Sequence, residues 1–435
     1  MKARYFIWIA ALSILAAFAP THAFATDLPT IKGPLPAPVP SWWSTFSVSG
    51  DIDSGITFNP DLGSGNVNFG RLFDDKANEP LLNQVSVVVQ RPLDSSAKTI
   101  DFGFRVQLLY GSDARYSHYL GECDYCIDNI NQFDVLEAWG AVHLPYVFSG
   151  GVDIKVGQFA TLLGYEPVNA PDSPFYSHTY IFNFGLPFKD TGIMTISHVS
   201  PMLDVYAGAI TGENTSIGWN SPAFGDPGDN NNAPAFEGGL TLNLLNGKLT
   251  INADTNIGPE NANTPLGAAA CACNPNSAMR FLNDINASWK ATDKLTLAGE
   301  ANYVHDDALG GVDAYGFAGY ALYQLSDWLL LKGRAEVFRD NNNFFVAAFP
   351  GNFDLANVEH GYPSTAYGAP AATTYFEVTG GVTITPVLPK GTPYLKSLII
   401  RPEVRYDAAL NGTTPFANGT KSSGVTFASD VILKF

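Results

Sequence analysis

Apolar and polar residues alternate with a period of two through most of this chain. Near the start, Phe46, Val48, Ile52, Ile56 and Phe58 interleave with Ser47, Ser49, Asp51, Asp53 and Thr57. This pattern predicts a strand from Phe46 to Phe58 with one apolar and one polar face. The same period predicts strands over Leu82–Leu93, Thr99–Tyr110, Phe133–Leu144, Gly151–Phe159, Thr191–Val199, Met202–Thr211, Ala235–Leu245 and Leu249–Ile257. In the second half it predicts Phe281–Lys290, Leu295–His305, Ala314–Leu325, Leu329–Phe338, Thr373–Thr385, Leu398–Asp407 and Lys421–Phe435. The expected total is about sixteen. In the fourth strand Leu136, Ala138, Val142 and Leu144 compete with Phe133, Val135 and Trp139 for the apolar face, and in the sixth the alternation is weak.

The connections carry a second pattern. Asp94–Lys98, Pro145–Gly150, Ser200-Pro201, Asn246-Gly247-Lys248, Ala291–Lys294 and Ser326-Asp327-Trp328 are tight, whereas Asn59–Leu81, Gly111–Gln132, Ala160–Asp190, Gly212–Pro234, Gly258–Arg280 and Asp340–Ala372 are long. Short and long links alternate, as in bacterial outer-membrane barrels with short periplasmic turns. Closure pairs every backbone donor and acceptor between strands, so an alternating chain crosses lipid without a continuous apolar segment. The predicted fold is therefore an all-β, antiparallel transmembrane β-barrel. About sixteen strands enclose more space than side chains fill, so a water channel is expected. The terminal aromatic, Phe435, is the expected signal by which outer-membrane assembly machinery reads the closing strand.

Composition and charge sharpen this picture. A mean hydropathy of +0.03 over 435 residues, with 13% aromatic residues, suits a lipid face diluted by alternation. Lys2 and Arg4, the apolar stretch Tyr5–Ala19 and Ala23-Phe24-Ala25 read as a secretory signal over residues 1–25. Residues 26–43 read as a Pro-rich periplasmic leader ending in the aromatic pair Trp42-Trp43, and residues 44–435 as one barrel. A net charge of −17 argues against nucleic acid as a partner. The expected partners are outer-membrane lipids, the assembly machinery, small hydrophilic solutes and a second copy of the chain in a homo-oligomer. No cofactor is expected.

Gly157-Gln158-Phe159, Gly164-Tyr165-Glu166, Tyr176-Ser177 and Thr191-Gly192 follow one another across the fifth predicted strand, the loop after it and the start of the sixth. In this order they resemble the OmpL-like putative β-barrel porin family of Gram-negative outer membranes. Asp190 stands where that resemblance expects His, and Leu162 where Pro is common. The resemblance implies an outer-membrane channel.

Several residues are candidates for the function. Glu166 lies in the loop Ala160–Asp190, which either folds into the lumen and sets its charge or stays outside as a solvated loop. Projecting alternate residues inward places Arg105, Lys155, Lys332, Arg334, Arg401 and Arg405 in the lumen, with Glu137, Glu237, Asp254, Asp284, Glu300, Glu336, Glu377, Glu403, Asp407 and Asp430 among the acids. The run Arg401, Glu403, Arg405 and Asp407 on one face reads as a ladder of paired charges. Cys123, Cys126, Cys271 and Cys273 are read as disulfide-forming rather than as a four-thiolate zinc site, because both pairs lie in outer loops of an oxidising compartment. A bridge between Cys271 and Cys273 would close a tight ring, so cross-loop pairing with Cys123 and Cys126 stays open. The function expected is passive diffusion of small hydrophilic solutes or ions through a porin. The alternatives are a non-conducting adhesin or structural barrel and an outer-membrane hydrolase. His143, His178, His198 and His305 are scattered and no Gly-x-Ser-x-Gly frames a nucleophile, so no catalytic site, metal site or enzyme activity is expected.

Overall fold

Among the described residues, seventeen segments pair edge to edge in a single antiparallel sheet that closes on itself. They are β1 (Ser47–Phe58), β2 (Pro80–Arg91), β3 (Asp101–Gly111), β4 (Gln132–Leu144), β5 (Val152–Ala160), β6 (Lys189–Ser200), β7 (Leu203–Glu213), β8 (Ala235–Leu244) and β9 (Leu249–Pro259), followed by β10 (Met279–Lys290), β11 (Leu295–Asp306), β12 (Val312–Ser326), β13 (Leu329–Asp340), β14 (Thr373–Ile384), β15 (Ser397–Ile400), β16 (Glu403–Ala409) and β17 (Ser423–Lys434). Both β15 and β16 lie between β14 and β17 and are halves of one pass, so seventeen segments make sixteen passes. The pass breaks at Arg401-Pro402, where proline has no N–H to give to the ladder. The computed structural model describes residues 42–119, 127–216, 229–231, 233–263, 268, 271–346, 372–389, 391–392 and 394–435. The proposed signal segment, most of the leader, Cys123 and Cys126 lie outside them.

Two units are distinguished, residues 1–44 and Thr45–Phe435. In the first, of which only residues 42–44 are described, the rings of Trp42 and Trp43 meet edge to face at 4.6 Å. The second is the barrel. Its outer face carries the expected apolar residues: along β1, Ile52, Ile56 and Phe58 are exposed while Asp51, Asp53 and Thr57 are buried, and Phe317, Val337, Val404 and Phe427 continue the exposed band. No helix among the described residues is long and apolar enough to cross a membrane; the strands make the crossing.

The seam between first and last strands closes through Phe435. Its N–H donates to the Gly50 carbonyl at 2.9 Å and its carbonyl accepts from Gly50 N at 3.0 Å. The Phe435 ring covers Gly50 so closely that a Cβ there would lie 2.7 Å from it, which is why the facing residue is glycine.

In β4 the competition between the two apolar sets has a structural cause. Gln107 pairs with Glu137 and Leu108 with Val135, so Leu136 is an extra residue without an opposite number. This bulge reverses parity, with Gln132 and Asp134 buried on one side of it and Ala141 and His143 on the other. Weak alternation in β6 coincides with register shifts at both of its ends. Two connections break the short-long rule: residues 307–311 between β11 and β12 are few, and residues 385–396 between β14 and β15 are many.

Candidate functional site in the barrel lumen

The chain between β5 and β6 turns inward and fills the middle of the barrel. It contains the short helix α1 (Tyr180–Phe184), capped by Thr179, whose hydroxyl accepts from Phe182 N. Phe175, Tyr180, Ile181, Phe182, Phe184 and Phe188 are buried there and pack with Phe69, Leu72 and Phe73 from the connection between β1 and β2 and with Phe338 and Tyr375 from the wall. An aromatic core of this kind needs the polar wall to be covered wherever the loop meets it.

The wall meets that need by gripping the loop's backbone. Glu237 of β8 accepts Leu162 N at 2.7 Å, Asp284 of β10 accepts Gly164 N at 3.3 Å and Glu300 of β11 accepts Tyr165 N at 3.0 Å. Glu336 of β13 accepts Tyr180 N and Ile181 N at 2.7 and 2.8 Å, and Glu403 of β16 accepts Tyr176 N and Ser177 N at 2.9 and 3.1 Å. Cations hold the carbonyls in turn: Arg334 donates to Ser177 O at 2.7 Å, Arg405 to His178 O at 2.5 Å, Arg401 to Ala170 O and Ser173 O at 2.8 and 2.6 Å, and Lys332 to Pro174 O. A buried hydrogen bond of this kind contributes on the order of 0.5–1.5 kcal/mol, and more where one partner is ionised, as at the arginines. Glycine at 164 is needed because its φ is +98° and a Cβ would lie 2.5 Å from Leu186 Cδ1.

Glu166 sits at the centre of this contact. Its Oε1 accepts from Arg334 Nη1 at 2.9 Å and from the Tyr320 hydroxyl at 3.1 Å, while Oε2 meets His178 Nδ1 at 2.9 Å and accepts Thr179 N at 3.1 Å. Burial opposes its ionisation, but the Arg334 guanidinium and the His178 hydrogen bond outweigh it and hold the carboxyl down at about 2. Arg334 also binds Glu377 at 2.7 Å, and neither the Arg334 nor the Glu166 side chain has solvent exposure. Glu166 is thus in the lumen as a sealed clasp, its charge neutralised.

The paired charges expected around Arg401, Glu403, Arg405 and Asp407 form on the wall except at Glu403. Arg405 pairs with Asp407 at 2.7 Å and Arg401 with Asp430, whereas Glu403 turns to the loop. Strand geometry sets these residues on one face, and at Glu403 the inward loop offers two backbone N–H groups in place of a wall cation.

Among the described lumen candidates named from sequence, one ion pair stays open. Arg105 and Glu137 bind at 2.7 Å with side chains 22% and 15% exposed. They line a cavity of about 360 Å³ between the loop and β3–β4, together with Gln107, Asn169 and the exposed Asp172. The residues named from sequence as lumen candidates therefore divide: Arg105 and Glu137 face the remaining space, whereas Lys332, Arg334, Glu336, Glu377, Arg401, Glu403 and Arg405 are buried against the loop or its anchors. The anchoring role of Glu237, Asp284 and Glu300 was not foreseen. Their only signal was an acidic wall with no nearby cation.

Cys271 joins Cys273 in a disulfide with Cα atoms 5.2 Å apart, which removes cross-loop pairing for these two. The two-residue spacing is accommodated with Ala272 at a φ of +49°.

Residues 45–435 match the model of the family described as putative β-barrel porin-2, OmpL-like. No curated protein matches the chain. Among solved structures, the outer membrane channel DcaP of Acinetobacter baumannii is 11% identical with a TM-score of 0.51 over 90% of this chain and 96% of that one. OprB of Pseudomonas putida is 12% identical with a TM-score of 0.53 over 90% and 94%, and an anion-selective porin from Comamonas acidovorans 9% identical with 0.53 over 89% and 98%. These likenesses are of fold.

Proposed function

The chain belongs to the putative β-barrel porin-2, OmpL-like family of Gram-negative outer-membrane porins, and from that premise we propose that its solutes pass beside the inward loop, along β3 and β4. The observation that carries this reading is the cavity of about 360 Å³ whose wall holds the partly exposed Arg105–Glu137 pair. A passage with one guanidinium and the carboxylates of Glu137 and Asp172 admits small hydrophilic solutes by passive diffusion, with mild cation preference blunted by salt screening within about 10 Å at 0.1 M. Residues 1–25 serve as a removable export signal, residues 26–43 as a periplasmic leader, and Phe435 as the assembly signal. Lipid surrounds the exposed apolar band, and copies of the chain associate through it.

A channel without enzyme activity is supported by the histidine environments. His143 and His198 share Asp153, His305 is held by Asp313, and Ser95 donates its hydroxyl to Asp153 rather than to a histidine. The test is planar-bilayer recording of wild type and Arg105→Ala. Removing the guanidinium is expected to shift the reversal potential toward cations at low salt and progressively less as salt rises. An unchanged reversal potential at low salt rejects this route, and folded protein without conductance favours the non-conducting barrel.

A further inference from the structure

We propose that Asp190, Glu237 and Asn256 form a site for a hard divalent cation of the calcium type, which staples both ends of the lumen loop to the wall. Glu237 holds the loop's entry: its Oε1 accepts Thr161 Oγ1 at 2.9 Å and Leu162 N at 2.7 Å, and its Oε2 is buried without a partner. Asp190 stands at the loop's exit, at the start of β6. It has no solvent exposure, makes no ion pair with any described residue, and neither carboxylate oxygen has a hydrogen-bond donor. Asp190 is the cross-strand partner of Phe159, two residues before Thr161, whose hydroxyl Glu237 holds, so the two carboxyl groups meet the same short stretch of the loop's entry.

Asn256 is the independent observation. It is the cross-strand partner of Glu237 on the inner face, is 1% exposed, and has neither its amide nitrogen nor its amide oxygen bonded. A buried amide left so is disfavoured by about 1–3 kcal/mol. An amide oxygen beside two carboxylates is what a hard cation recruits, and calcium completes its six to eight oxygens with water. No His or Cys is in the set, which disfavours softer metals.

Nearby cations are engaged elsewhere. Lys189 binds Asp134 and Arg280 binds Glu213 and Asp306; Lys155 lies over the Trp139 and Phe159 rings at 4.9 and 5.5 Å and attracts Glu237 without forming an ion pair with it. The competing explanation is one proton shared by the two carboxyls, which needs no metal.

The experiment uses the full chain in detergent, freed of lipopolysaccharide and treated with EDTA, titrated with calcium chloride by calorimetry alongside thermal unfolding. Conductance is not read, so the result is independent of the solute route. Wild type is expected to bind one calcium per chain and to unfold at higher temperature with it. Asp190→Asn should abolish both effects while folding normally, since it removes a like charge and keeps the shape. Asn256→Ala should weaken binding by about tenfold or more, and should carry the test if Asp190→Asn fails to assemble. The exposed Asp307→Asn should change nothing. Folded wild type that binds no calcium, or binding that Asp190→Asn and Asn256→Ala leave intact, overturns the proposal.

Discussion

Two sectors of the barrel wall grip the same loop by opposite electrostatic means. On β13 to β17 the carboxylates are interleaved with cations: Arg334 with Glu166 and Glu377, Arg401 with Asp430, Arg405 with Asp407, and Arg71 from the first loop with Asp74 and Asp407. On β8 to β11 the inward charges are Glu237, Asp254, Asp284 and Glu300, among Asn252, Asn256, Asn286 and Asn302; lysine or arginine occurs there only at the ends, as Arg280 and at the turns. Each of Glu237, Asp284 and Glu300 spends one oxygen on a loop N–H and leaves the other buried without a partner. Both sectors satisfy the loop's backbone. Only the first also satisfies its own charges, and mutations should separate the two.

The largest effect is expected at Arg334. Arg334→Met leaves Glu166 and Glu377 buried without their shared cation, and breaking a buried pair in this way costs about 3–5 kcal/mol. The barrel should unfold at lower temperature in detergent, and the loop should become accessible to protease while the strands remain paired. A variant as stable as wild type would mean that the cationic sector holds the loop by packing alone.

Glu166 tests the same sector more gently. Glu166→Gln keeps the acceptor for Thr179 N but removes the charge facing Arg334, a loss of about 1–3 kcal/mol. Because its folded value lies below the ordinary 4.5, at about 2, its contribution is complete above pH 4.5 and is lost as pH falls toward 2. Protease protection of the loop should therefore fall over that window in wild type. In the variant this part of the acid response should be absent. Since Glu166 is sealed, the substitution should leave the reversal potential close to wild type at neutral pH, unlike Arg105→Ala.

The strands of both sectors were legible because lipid on one side and polar groups on the other force a period of two, and this survives in most passes. The bulge at Leu136 blurred β4 because one extra residue moves all later side chains to the opposite face. What the period did not reveal was the loop's destination. Glu166 and Arg334 are separated by 168 residues, and Tyr176 N and Glu403 by 227; such pairs leave no local pattern. An outward solvated loop and an inward clasp share one composition, so only the enclosed space, the paired wall and the aromatic residues of 175–188 together distinguish them. Of the charges at Arg401–Asp407, Arg401 pairs with Asp430 on the adjacent strand and Arg405 with Asp407, as the shared face led one to expect; only Glu403 takes its partners from the distant loop.

The smallest effect, and the one that separates the sectors by sign, is expected at Glu300. Its Oε1 accepts Tyr165 N at 3.0 Å, its Oε2 has no partner, and the neighbouring Asp284 also has one oxygen without a partner. Glu300→Gln keeps the carbonyl for Tyr165 N, deletes one of two adjacent like charges, and supplies an amide N–H₂ that can donate toward Asp284. Each of these changes is neutral or favourable, so stability measured in EDTA should rise by about 0–1 kcal/mol. The same charge removal at Glu166 should lower it. If Glu300→Gln instead loses 2 kcal/mol or more, on the scale of a broken charged hydrogen bond, then Glu300 has a compensating cation and the two sectors work alike. If it gains, the carboxylate wall holds the loop at the expense of its own electrostatics, and a charge there serves something other than stability.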